Sequence, residues 1–104
     1  MKYVWDEAKN RLNQQIHDGI SFPVASLVFE DPDCLVFTER IDPATGERRW
    51  HAVGAAHLEA GLAAVLLVVH VYREQNYGEE IVRIISARAA EKHEIRRYRE
   101  QEVD

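Results

Sequence analysis

The chain has 104 residues, 46% of them hydrophobic and 30% charged, with a formal net charge of -5. That length and balance suit one domain over residues 1–104, built on one core, and exclude a disordered tail. A lone cysteine, Cys34, excludes an internal disulfide, and the longest apolar run, Leu62 to Val69, falls far short of the ~20 residues that a membrane helix needs.

The opening MKYVWDEAKN lacks the apolar stretch of a signal peptide, so a cytoplasmic protein is expected. Asp6 is placed to cap a first helix running to Ile16, with Ala8, Leu12 and Ile16 recurring on one face. HDG breaks it. Ser21 caps a second, short helix through Phe29 with Pro23 in its first turn, and EDPD reads as a turn. Four extended segments follow. Cys34 to Arg40 and Arg48 to Gly54 flank DPATGE and form a hairpin. Leu66 to Tyr72 is nearly all apolar, as in a central strand covered on both faces. Glu80 to Ser86 alternates, after a QNYG turn, with Val82 and Ile84 on one side and Ile81, Arg83 and Ile85 on the other. The stretch His57 to Ala64 fits a loop, a helical turn or an extended arm. From Ala89 the pattern is helical, with Ile95 and Tyr98 as an apolar seam and Lys92, Arg96 and Arg99 aligned on another side. The expected class is α+β, in the order ααββββα, with helices on a four-stranded antiparallel sheet.

Charge is unevenly placed. Between Arg83 and Arg99 six basic residues (Arg83, Arg88, Lys92, Arg96, Arg97, Arg99) face two acids, Glu91 and Glu94, in a chain that is acidic overall. Such a cluster either holds phosphate oxygens, which the guanidinium fork suits, or is a solvated helix face. The five histidines show no HxxxH or HxH spacing and Cys34 has no CxxC partner, so no metal site is expected. His70, near the end of the most apolar strand, is either a satisfied core histidine or a proton carrier beside the arginines. Trp5, Trp50 and Tyr98 are core or rim residues, or stacking surfaces for unpaired bases. Phosphate loops, GxSxG elbows and dinucleotide fingerprints are absent from the sequence.

Read together, WDEAKN, HDGISF, VFEDP, ERRWHAVG, LLVVHVYRE and IVRIISARAAEKHEIRRY run in order over nearly the whole chain. In these pieces the sequence resembles the BrnT family, toxins of a bacterial toxin–antitoxin system whose fold is similar to RelE-type ribonucleases. The resemblance implies RNA cleavage that halts translation, without cofactor or metal, restrained by a cognate BrnA-like ribbon-helix-helix antitoxin. No membrane partner is implied, and no direct DNA binding without the antitoxin. It places Arg83 and Arg88 on the scissile phosphate, His70 or Glu94 on the proton transfers, and Tyr98 on a base or the same proton work. Lys9 and Trp5 would line the groove edge, with Lys92, Arg96 and Arg97 along the RNA backbone. A second reading is a non-catalytic interaction protein that keeps the fold and binds an antitoxin-like partner.

Overall fold

The computed structural model describes residues 1–58, 61–74 and 78–101. Asp6 caps the first helix as its position requires, Oδ1 accepting from the amides of Ala8 and Lys9 at 2.8 and 3.2 Å. This helix, α1, is Glu7–Ile16. Ser21 caps α2, Phe22–Ser26, which then tightens into a 3-10 turn over Leu27–Glu30 rather than running on as one helix. Four long strands follow: β2 Leu35–Ile41, β3 Arg48–His57, β4 Ala63–Glu74 and β5 Glu80–Ala89, and α3, Lys92–Glu100, ends the described fold. The sequence His57 to Ala64 is extended at both ends, while residues 59–60 and most of the QNYG turn lie outside the described residues.

A further strand precedes α1. β1, Lys2–Val4, pairs parallel with β5, so the sheet is five-stranded and mixed, in the order β1-β5-β4-β3-β2. This corrects the expected four antiparallel strands and the order ααββββα; the class remains α+β. Three residues, KYV, are too few to carry a period, and their partner is nearly eighty positions away. The hairpin across DPATGE and the central, doubly covered place of β4 are as expected.

One face of the sheet carries the main core. Phe22, Ala25 and Val28 bury against Ala52, Leu66, Val68, Val82 and Ile84, all within 1% of full burial. The 3-10 turn sits so close to β3 that a Cβ on Gly54 would stand 2.9 Å from Val28 Cγ1. The other face meets α3.

α1 is turned against its apolar pattern. Leu12 and Ile16 are 53% and 61% exposed, whereas Asn10 and Asn13 are buried. Asn13 Nδ2 donates to the carbonyls of Ile20 and Ala87, both at 2.9 Å, and its Oδ1 accepts from the Ala87 amide at 3.1 Å. Asn10 Oδ1 accepts from the Phe22 amide at 2.8 Å. These amides satisfy backbone groups that no strand or helix supplies, a demand that outweighs burying two aliphatic side chains.

Candidate active site

The arginines of β5 share a face because of a bulge. Arg83 and Arg88 are five positions apart, which in a regular strand puts them on opposite sides. The register with β4 slips between Val69 and His70, leaving Ile85 as the extra residue, so that Leu67, Val69 and Val71 stand opposite Arg88, Ser86 and Arg83. The slip flips the alternation, and both guanidiniums stand on the face that α3 covers. On β3 the same side carries Arg49, His51 and Val53, and on β2 it carries Leu35 and Phe37.

α3 is fastened over one end of this face. Arg88 donates to both oxygens of Glu94, at 2.8 and 3.0 Å, and to the Ala89 carbonyl at 3.1 Å. Glu94 Oε1 also accepts from the Glu91 amide at the helix start, at 2.8 Å. Burial pushes the Glu94 pKa up, but the Arg88 hydrogen bonds and that amide outweigh it and hold the carboxyl below its ordinary range. At the far end Tyr98 donates to Asp31 Oδ2 at 2.5 Å, an oxygen that also accepts from the Ala55 amide at 2.8 Å. Burial and then the Asp31 bond raise the Tyr98 pKa strongly. Both Glu94 and Tyr98 are thus spent on holding the helix. A carboxylate held ionised does not serve as a general acid near neutral pH, and a phenol with a raised pKa is a poor base.

Beneath α3 lies a cavity of about 330 Å³. It is lined by Leu35 and Phe37 of β2, His51 and Val53 of β3, Arg88 of β5, and Glu91, His93, Glu94 and Arg97 at the start of and along α3. The Arg97 guanidinium lies 4.5 Å from the Phe37 ring centre, and the His51 ring meets the same phenyl at 5.5 Å. Beyond the cavity the sheet face continues to Arg83 and Arg49. Among the described residues Arg83 has no carboxylate within ion-pair distance. It is felt at Asp6, whose pKa is lowered first by the Lys9 and Ala8 amides and last by Arg83. Arg49 Nη2 lies 3.6 Å from Asp42, while its Nε is buried without a hydrogen-bond partner among the described residues.

His70 is elsewhere. It is fully buried on the opposite face, between Phe29 and Tyr72 at ring distances of 4.8 and 4.9 Å. Its Nδ1 stands 3.3 Å from the Val68 carbonyl, and burial lowers its pKa to about 4. The core reading of His70 is the one its surroundings support. Trp5 and Lys9 also belong to the other side: Trp5 packs on Phe22 and donates to Glu7, and Lys9 is exposed on α1. Lys92, Arg96 and Arg99 line a separate open recess around Ile95 on the outer side of α3. Of the expected residues, Arg88, Glu94 and Arg97 come together at the cavity, and Arg83 lies beyond it on the same side of the sheet. The imidazoles that join them are His93 on α3 and His51 on β3. A histidine flanked by Arg49 and Trp50 in an alternating strand was the available signal, since alternation puts Arg49 and His51 on one face.

The sequence model for "Ribonuclease toxin, BrnT, of type II toxin-antitoxin system" matches residues 5–94. The chain belongs to the BrnT family. The match begins just after β1 and ends at Glu94 within α3, and so includes every group gathered at the cavity except Arg97. Comparison with curated proteins finds no match. A BrnT chain is a member of a family of ribonuclease toxins with an antitoxin partner. Among the described residues no helix is long and apolar enough to cross a membrane, and no three His, Cys, Asp or Glu side chains are grouped to hold a metal ion.

Proposed function

We propose that this BrnT protein is a metal-independent endoribonuclease that cleaves RNA, inhibits translation, and is neutralised by a cognate BrnA-like ribbon-helix-helix antitoxin. One observation supports the reading: His51 and the guanidiniums of Arg88 and Arg97 line one cavity under α3, and the strand register puts Arg83 on the same side of the sheet. In the reaction the ribose 2′-oxygen attacks the adjacent phosphorus. The new O2′–P bond forms as the P–O5′ bond breaks, leaving a 2′,3′-cyclic phosphate. His51 takes the 2′-hydroxyl proton, and the departing 5′-oxygen takes one from water. Arg83 neutralises charge growing on the phosphate oxygens, and Arg49 extends the grip on the backbone. Arg88 is a positioning residue here, because Glu94 occupies its fork and the pair sets where α3 and Arg97 lie. This chemistry needs only a positioned base and cations, so no metal enters it.

Purified protein is expected to cut RNA in the presence of EDTA and leave cyclic-phosphate ends. Arg83→Ala and His51→Ala should each lower the cleavage rate at least ~10²-fold with unchanged melting curves, the scale of losing one preorganised contact or a general base. Activity abolished by the chelator contradicts the metal-free route, and equal cleavage by wild type and both variants contradicts the site. The Arg88–Glu94 pair favours a second reading, a partner-binding protein without catalysis, since it withdraws one guanidinium from phosphate. Intact RNA with wild type, alongside binding of an antitoxin, would establish that reading instead.

A further inference from the structure

Water is a weak source of the proton that the departing 5′-oxygen takes. An alkoxide leaves poorly, and a positioned acid speeds such a step by roughly 10²–10⁴-fold. The groups that line the cavity under α3 narrow the choice of acid. The guanidiniums of Arg88 and Arg97 keep their protons at any cellular pH. Glu94 is held ionised by Arg88 and the Glu91 amide. Glu91 is the N-cap of α3, in a capping box with Glu94 and 3.9 Å from Arg88 Nη1, so its carboxylate is a fixed anion of the site. Two imidazoles remain, His51 and His93, and histidine is the side chain whose proton moves near neutral pH.

His51 belongs to β3 and His93 to α3, so the cavity has one imidazole from the sheet and one from the helix laid over it. In-line displacement asks for that division. The attacking 2′-oxygen and the departing 5′-oxygen lie on opposite sides of phosphorus, and one ring cannot serve both at once. His93 Nδ1 stands 3.5 Å from Glu91 Oε2, the anion that pairs with the charged ring. Its Nε2 has no partner among the described residues. The His93 side chain is 72% exposed, so the ring can regain a proton from solvent between turnovers.

We propose that His93 is the general acid of the cleavage, giving its Nε2 proton to the 5′-oxygen in place of water. The P–O5′ bond breaks as that proton arrives, while the O2′–P bond forms as His51 takes the 2′-hydroxyl proton. One ring loses a proton, the other gains one, and solvent resets both. The proposal rests on the ribonuclease reading of the same face. Its test compares one RNA oligonucleotide with the same strand carrying sulfur in place of the bridging 5′-oxygen at the cut position, since a thiolate leaves without being protonated. His93→Ala in the full chain should slow cleavage of the ordinary RNA at least ~10²-fold, with an unchanged melting curve. The 5′-thio RNA should lose no more than a few-fold in the same variant, whereas His51→Ala should slow both substrates. Ordinary RNA cut by His93→Ala at the wild-type rate overturns the proposal. So does an equal loss on both substrates, or 5′-thio RNA left intact by wild type. In each of these cases wild type still cuts ordinary RNA and the ribonuclease reading stands; ordinary RNA left intact by wild type removes both.

Discussion

His70 and His51 sit on adjacent strands, one register position apart, since Trp50 pairs with His70 and His51 with Val69. That single step puts one imidazole in the core and the other at the cavity. The buried one has a consequence for stability. Its pKa falls from 6.5 to about 4 because burial disfavours the charged ring. The unfolded chain therefore binds a proton at this residue between those values and the folded chain does not, so His70 favours folding above pH 6.5 and progressively less as pH falls toward 4. The melting temperature should drop between pH 6.5 and pH 4.5, and the drop should be smaller in His70→Phe, which cannot titrate. An equal drop in both proteins would show that His70 is already charged in the fold. At the same scale, Asp31 joins β3 and α3 by accepting from Ala55, Tyr98 and Asp33, and these bonds keep its carboxyl below the ordinary range against the effect of burial.

Among the elements, α1 shows how polar wiring can override an amphipathic pattern. The side chains that look like its core stripe are outside, and the amides that look like its solvent side hold Ile20, Phe22 and Ala87 in place. Asn13→Ala leaves buried donors and acceptors of β5 and the α1–α2 turn unmatched, and should cost roughly 2–4 kcal/mol in urea unfolding. Leu12→Ala, on the exposed stripe, should stay within about 0.5 kcal/mol. If the two costs were reversed, α1 would be seated the other way round. Caps and turns of the helices were readable from Asp6, Ser21 and the HDG break, because capping is local chemistry. The facing of α1 was not, because it is set by carbonyls that only tertiary structure leaves unpaired. The common face of Arg83 and Arg88 was unreadable for a related reason: a bulge at Ile85 changes no residue type, yet it reverses the alternation for everything after it. β1 was missed since three residues define no period.

For the molecule as a whole, the sheet divides the work. One face holds α1, α2 and the apolar core, with His70 inside it; the other holds α3, the cavity and the arginines. The acidic total is no obstacle to a cationic surface of this size, because potential near a surface follows local charge. The resemblance carried by IVRIISARAAEKHEIRRY pointed to the family and to the arginine-rich end, while of its two proton carriers, His70 or Glu94, the strand register puts His70 in the core on the opposite face. The central claim is that RNA lies on the α3 face. It is tested most directly by mapping, in the NMR spectrum of the full chain, the resonances shifted by a short RNA made uncleavable by 2′-O-methylation. Shifts are predicted at Arg83, Arg49, His51, Phe37 and Arg97, with Trp5, Lys9 and His70 unmoved. Shifts gathered at Trp5 and Lys9, with the α3 face silent, would contradict the account.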